Sequence, residues 1–344
     1  MIPTAPHEVL RRAAEAHGSA ATARVHLSEI NDLLGESLPK LEILVRSAAR
    51  GPTPLAEAAS HLLEAGGKRV RPLTTLLMTQ TCGGLAARAL PLAAAIEVIH
   101  SATLLHDDVV DDGLERRGRP ASRVLWGNRI SVLSGDLLLT SALELVQAAG
   151  IDGAMQDTLA TMQELIAGEA WQIEARGRDD IGIEGYLRIA RGKTASLFAC
   201  ACRFGARVAS VSDEVVSAAG QFGERVGIAF QIVDDVLDLE GIPHEVGKRL
   251  GRDMAEGKTT LPLALALSHA AAELRPMLID ARAGDTVAAA KVAQAAPVRE
   301  ACLEARAFAA RETEAGLAQL NRLPAGRARQ LLEALVRGLT ERRA

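Results

Sequence analysis

Aromatic side chains make up only 2% of this 344-residue chain: two Trp, one Tyr and five Phe. A core of any size must therefore come from Leu, Ala, Val and Ile, and Ala and Leu favour helices. Cysteine is equally sparse. Cys82, Cys200, Cys202 and Cys302 are scattered, which fits reduced thiols and not a disulfide framework. No further zinc-type ligands lie near Cys200 and Cys202, so they read as core packing. No apolar h-region follows Met1, so no signal peptide is visible. No run reaches the ~18 uninterrupted apolar residues of a membrane span. The longest candidate, 85–105, is broken by Arg88, Glu97 and His100. A net charge of −4 leaves no global basic field for nucleic acid and no acidic tail. No alternating run demands a strand, and no fixed-period repeat occurs. Together these absences predict a cytoplasmic chain with no transmembrane segment and no nucleic-acid partner.

What is present is helical. The chain is 48% hydrophobic and 24% charged. Leu41, Leu44 and Val45 form an apolar stripe at 3/4 spacing, as do Leu137, Leu138 and Leu145. Gly and Pro punctuate the chain where helices should start or stop. The pattern predicts helices over 7–31, 36–49, 53–65, 70–82, 86–112, 121–148, 152–176, 183–207, 212–239, 258–274, 285–320 and 325–342. Residues 241–257 read as a polar, partly irregular loop. With no long linker, the fold expected is all-α. It is a single-domain helical bundle over 31–344, preceded by a helical extension, 1–30.

Two acidic clusters end strongly apolar helices. The first contains Asp107, Asp108 and Asp111; the second contains Asp234, Asp235 and Asp238. Each is D-D-x-x-D. On a helix, positions i and i+4 share a face, so Asp107 pairs with Asp111 and Asp234 with Asp238. Asp108 and Asp235 lie about 100° round, at the edge of that face. Like charges at this spacing repel, so helix stability does not explain them. A hard divalent cation such as Mg2+ does, because it takes carboxylate, phosphate and water oxygens together.

Cations sit in short groups elsewhere. Lys68, Arg69 and Arg71 follow Gly66-Gly67 at the start of a helix, where a close backbone and free N–H groups favour anions. Arg116 and Arg117 follow the first acidic cluster. Lys193-Thr194 and Lys258-Thr259 each place a lysine beside a hydroxyl, and Lys248 lies in the loop after the second cluster. A nucleotide P-loop would need Gly at 187 or 252; those positions are Leu187 and Arg252. The set fits a metal-bridged diphosphate.

The blocks GGKRVRP, LLHDDVVDDGLERRG, GKTASLF, FQIVDDVLD and GRDMAEGKTTLPL, in this order over about 65–263, resemble those of trans-polyprenyl diphosphate synthases of the farnesyl, geranylgeranyl and octaprenyl type. The resemblance implies an all-helical fold around a central cavity, with the two aspartate-rich helices facing each other, three Mg2+ ions between them, and a homodimer. It assigns Asp107, Asp108, Asp111, Asp234 and Asp235 to metal, with Asp238 at the rim. It assigns Arg116, Lys193 and Lys258 to the allylic diphosphate, with Lys248, Thr194 and Gln231 nearby. Isopentenyl diphosphate falls to Lys68, Arg71, His100 and Arg117. His106 and Asp112 are left as supporting residues.

The chemistry expected is electrophilic alkylation. Cations draw charge onto the leaving diphosphate, the allylic C–O bond ionises, and the double bond of isopentenyl diphosphate attacks. No Ser-His-Asp set or Cys nucleophile is needed. Small residues at Ala102 and Thr103, with Ile99 deeper, predict an open floor and a long-chain product. A short-chain, farnesyl or geranylgeranyl, product is the alternative. A terpene cyclase would carry a different second motif, which Asp238 and Ile242 do not fit. A non-catalytic partner subunit would have lost its acidic motifs.

Overall fold

The computed structural model describes residues 28–240 and 251–342. The helix expected over 7–31 lies mostly outside them, as does Lys248. The remaining elements follow the apolar periodicity closely. They are α1 (Ser37–Ser47), α2 (Thr53–Glu64), α3 (Val70–Thr81), α4 (Ala86–Val110), α5 (Ser122–Ala149), α6 (Ala154–Ala175), α7 (Gly182–Ala190), α8 (Ser196–Val208), α9 (Asp213–Glu240), α10 (Arg252–Ala255), α11 (Leu261–Arg282), α12 (Thr286–Gln294), α13 (Ala296–Leu320) and α14 (Arg327–Thr340). The fold is all-α.

Two expected helices are interrupted and a third is shifted, each for a local reason. The 183–207 stretch contains a π-helical turn, Arg191–Ala195, between α7 and α8. The 285–320 stretch breaks at Ala295, whose extended backbone precedes a helix with Pro297 in its first turn. There Asp285 caps α12 by accepting from Val287 N and Ala288 N, at 2.8 and 3.1 Å. The 258–274 stretch starts late, at Leu261 with Pro262 in the first turn, and runs on to Arg282. Helix α5 kinks at Gly127, whose φ of 80° is open to glycine.

The sequence also hides one small ladder, β1 (Glu115–Arg116) and β2 (Arg119–Pro120), paired Arg116 to Arg119. Its two-residue loop, Arg117 and Gly118, has positive φ at both positions, 55° and 73°. Two positive-φ central residues are what a type I′ hairpin requires.

The chain divides into two compact units. The first takes the described residues up to Ala160, then Leu197–Gln221 and Gln319–Leu335. At its centre is α4, packed on α1, α3 and α5. From Leu92 to Ile99 every residue of α4 is buried. Serines of α5 seal this packing: Ser131 donates to Leu105 O, Ser134 to Leu55 O and Ser141 to Ala48 O, at 3.1, 3.1 and 2.9 Å. The second unit takes Thr161–Ser196, Phe222–Ala318 and the described residues from Val336. Its core gathers Ile228, Ile232, Val236, Leu261, Leu265, Leu274 and Val298.

By length and composition, α4 and α5 are apolar enough to cross a membrane, although neither contains an unbroken apolar run. The apolar window of α4 is 72% buried, that of α5 only 33%. Helix α4 is thus accounted for as a core helix. Helix α5 keeps Val124, Leu125, Val132 and Leu133 exposed.

Candidate active site

The first unit carries the first acidic cluster at the C-terminus of α4. The helical register holds through Asp111, whose N–H bonds Asp107 O at 2.8 Å. Asp112 then turns left-handed, φ 52°, and Gly113 N bonds Asp108 O at 2.8 Å. This is a Schellman ending with aspartate where glycine is usual. Arg123 compensates by donating to Asp112 Oδ1 at 2.7 Å. Asp107 and Asp111 are half-buried, on the stripe of α4 that also leaves His100, Thr103 and Leu104 partly open. Asp108 is fully buried. Its Oδ1 accepts from Arg116 Nε at 2.9 Å, while its Oδ2 has no hydrogen-bond partner. His106 reaches the opposite way, 3.1 Å from Val132 O, into the notch left by Gly135.

The basic groups of this unit collect beside the acidic end. Gly66 has φ 80°, a backbone conformation open to glycine, and a Cβ on Gly67 would lie 3.0 Å from Arg117 Nη2, so the guanidinium packs closely on the Gly67 backbone. The Arg71 guanidinium stacks 4.7 Å from the Phe198 ring centre. Lys68 is exposed. Burial first, then Arg71, Arg117 and Arg116, hold His100 well below its ordinary pKa, although Glu97 opposes them. His100 is neutral at pH 7. Burial also lowers Arg117, countered by Glu97 and reinforced by Arg69 and Arg116. Arg117 Nη1 is buried without an acceptor. Such a field lacks negative charge, and an anion would supply it.

Arg69 was not among the expected ligands, and the structure gives it another task. It starts α3 from a left-handed conformation, φ 47°. Its guanidinium donates to Glu97 Oε1 at 2.6 Å and Glu42 Oε1 at 2.8 Å. It also donates to Leu63 O at 3.3 Å. It therefore ties α1, α2, α3 and α4 together, and its charge acts on Arg117. Three of the non-glycine residues with positive φ, Arg69, Asp112 and Arg117, lie in these loops. Strained backbone gathered at one place is characteristic of a functional site.

The second unit has the reverse imbalance. Asp234 is exposed, Asp235 is 3% exposed and Asp238 is half-buried. Asp253, on α10, joins them: its N–H bonds Asp238 Oδ2 at 3.2 Å. Burial, then the charge of Asp253, pushes Asp238 up to about 7. Burial and neighbouring carboxylates raise Asp235 and Asp253 as well. Asp253 was missed from sequence, although it stands in the GRDMAEGKTT block. Gln231 Nε2 donates to Asp235 Oδ1 at 2.7 Å, and Thr194 Oγ1 donates to Gln231 Oε1 at 2.7 Å.

Lys193 and Thr194 sit on the π-helical turn. A Cβ at Gly168 would meet Lys193 N at 2.5 Å, and one at Gly227 would meet Ala195 Cα at 2.5 Å. Both obstacles are backbone, so the turn is clamped from two sides by helices that only glycine lets approach. Gly168→Ala should displace the Lys193 turn. We expect several-fold weaker binding of inorganic pyrophosphate and a Tm lower by several degrees, as overpacking costs about 1–3 kcal/mol. Calorimetric titration and thermal melts check it; unchanged values for both would show the turn is not clamped. Lys193 Nζ lies 2.5 Å from Glu169 Oε2, and Lys258 Nζ 2.5 Å from Glu256 Oε2. Loop contacts also fix Lys258's surroundings: Gly177 N bonds Gly257 O at 2.8 Å, and Thr259 Oγ1 bonds Arg178 O at 2.7 Å.

A divalent cation fits both acidic clusters. Asp108 Oδ2 and Asp235 Oδ2 are buried without a well-aligned hydrogen bond, and burial with mutual repulsion raises the carboxylates of the second cluster although Arg342 lies 4.0 Å from Asp234. Among the described residues no three metal-ligating side chains close on one point. Mg2+ bound through one or two carboxylates and completed by phosphate oxygens does not need that.

Thr103 shares the open stripe with Asp107, and its Oγ1 donates to His100 O at 2.8 Å. Ile99 and Ala102 are fully buried, and Ala102 lies about 140° round the helix from Asp107.

The sequence pattern described as Polyprenyl synthetase matches residues 52–297. The chain is 38% identical over 294 residues to the heptaprenyl diphosphate synthase component 2 of Geobacillus stearothermophilus, covering 86% of this chain and 92% of that one. It is 37% identical over 232 residues to the geranylgeranyl diphosphate synthase of Saccharolobus solfataricus, covering 65% and 70%. The polyprenyl synthase of Caulobacter crescentus CB15, solved with calcium and isoprenyl diphosphate, superposes with a TM-score of 0.86 at 33% identity, covering 92% of this chain and 98% of that one. The motif blocks, the helical fold and these likenesses agree: the chain belongs to the polyprenyl synthetase family and is a prenyltransferase.

Proposed function

We propose that the chain elongates an allylic diphosphate with isopentenyl diphosphate in a Mg2+-dependent reaction, and that its product is long. The observation that carries the reaction is the opposite charge imbalance of the two units. One gathers arginines around a neutral His100; the other gathers carboxylates whose pKa burial, then their neighbours' charge, raises. Mg2+, taken as three ions, would be held by Asp107, Asp108, Asp111, Asp234, Asp235 and Asp238, and supplies Lewis-acid stabilisation of the leaving diphosphate.

The chain's own groups then do the following. Arg116, Lys193 and Lys258 bind the allylic diphosphate, exchanging Asp108, Glu169 and Glu256 for its oxygens. They stabilise the charge that grows on it as the C–O bond ionises. Thr194 and Gln231 keep Asp235 oriented. Lys68, Arg71, His100 and Arg117 bind isopentenyl diphosphate and hold its double bond for attack. The proton is lost to the departing diphosphate. Low aromatic content leaves aliphatic walls that exclude water from the cation.

Residues 31–344 act as the catalytic domain, in the cytoplasm, as a homodimer through the exposed apolar face of α5. A second reading has support: the Geobacillus relative is named as one component, and a partner chain could serve this one too. Product length is supported by small Ala102 and by the heptaprenyl relative, while the geranylgeranyl relative supports the shorter alternative. Ala102→Phe tests it. Products from geranyl or farnesyl diphosphate, separated by length, should shift from beyond geranylgeranyl in the parent to at least one isoprene unit shorter in the variant. A parent that stops at geranylgeranyl, or a variant with unchanged products, refutes the length assignment.

A further inference from the structure

Beside Asp235 lies a cavity of about 120 Å³ lined by Gln172, Tyr186, Thr194, Gln231, Asp235 and Thr260. Tyr186 is the chain's sole tyrosine. Its side chain is part of the second unit's apolar core, 5% exposed, yet it reaches this cavity. One oxygen of Asp235 is already fixed: Oδ1 accepts from Gln231, which Thr194 holds. The other, Oδ2, is buried with no well-aligned hydrogen bond, and so is the Tyr186 hydroxyl. The two groups lie within hydrogen-bonding reach of each other. A buried hydroxyl left without a partner costs about 1–3 kcal/mol, and the Asp235 carboxylate is the acceptor at hand. Phenylalanine would fill the same core space, so packing alone does not account for a tyrosine.

We propose that Tyr186 is a positioning residue: its hydroxyl orients the Asp235 carboxylate, directly or through one water in the cavity, for binding of divalent cation and diphosphate. The cavity is polar and roomy enough for such a water. Thr194–Gln231 and Tyr186 then grip the carboxylate by its two oxygens. The role rests on the reaction proposed above. Groups that orient metal ligands typically contribute about 10–100-fold in metal affinity.

The test is Tyr186→Phe in the full chain, titrated by calorimetry with Mg2+ and inorganic pyrophosphate, alongside thermal melts. We expect a roughly tenfold higher Mg2+ requirement for pyrophosphate binding, with an unchanged Tm. In an Asp235→Asn background, where the oriented carboxylate is gone, Tyr186→Phe should add nothing. A wild-type titration, an equal effect in both backgrounds, or loss of the fold would each overturn the proposal. The binding measurement needs no turnover. A parent that condenses substrates while Tyr186→Phe binds normally refutes this role alone, and a folded parent that condenses nothing refutes the reaction.

Discussion

Asp107→Ala is expected to lower turnover on the order of 10³-fold while leaving the fold intact. The two halves of that expectation come from different facts. Asp107 sits in the last turn of α4, on its half-open stripe, away from the buried packing of 92–99. A carboxylate near a helix C-terminus opposes the helix dipole, and Asp111 one turn on repels it. Its removal should leave Tm unchanged or slightly raised. Turnover lost with the fold intact would mark Asp107 as a group that is there for a ligand. Circular dichroism melts and steady-state rates at ordinary Mg2+ decide the matter. Near-normal turnover, or activity lost only because the fold is lost, would contradict the metal assignment.

Glu97→Gln should do the converse, striking stability first. Glu97 is 2% exposed and Arg69 4%. Burial alone would raise the Glu97 pKa, but Arg69, His100 and Arg117 outweigh it and bring it down to about 2, from an ordinary value of 4.5. Removing one partner leaves Arg69 buried with only Glu42 opposite, at a cost of about 3 kcal/mol. The pH dependence follows from the direction of the shift. A carboxylate whose pKa is lower in the folded state stabilises fully above its unfolded value, and that stability fades as pH falls from about 4.5 toward 2. The difference between parent and variant in urea unfolding should therefore be largest near pH 7 and smaller at pH 3. A constant difference across that range would mean Glu97 acts by packing and not by charge. Because Glu97 and Arg69 both act on Arg117, the variant should also raise KM for isopentenyl diphosphate several-fold.

These expectations draw on features of unequal legibility. Helix bounds could be read to within a residue or two wherever apolar periodicity met Gly or Pro, as at α3 and α5. The i, i+4 carboxylates could be read because spacing alone puts them on one face. The π-helical turn could not: it is set by Gly168 and Gly227, which approach it from other helices, and periodicity carries no sign of that contact. Arg69 looked like another cation in a ligand-binding block. Its partners, Glu42 and Glu97, stand 27 and 28 residues away, and nothing local links them. Asp253 was in plain view as a letter, but its place beside Asp238 depends on how α10 folds back. Tyr186 carried no motif signal; only burial and an unaligned hydroxyl single it out. Ala102 was read from its small size beside Thr103; it is buried in α4, and burial alone sets no product length, which is why that length calls for its own test.

The most direct test of the central claim is incorporation of labelled isopentenyl diphosphate by the purified chain alone, with dimethylallyl, geranyl, farnesyl or geranylgeranyl diphosphate, with Mg2+ and with chelator. The account predicts a Mg2+-dependent prenyl diphosphate product with at least one of these primers, abolished by chelator. A folded chain that incorporates nothing with any primer would contradict it and point to a subunit that works only with a partner.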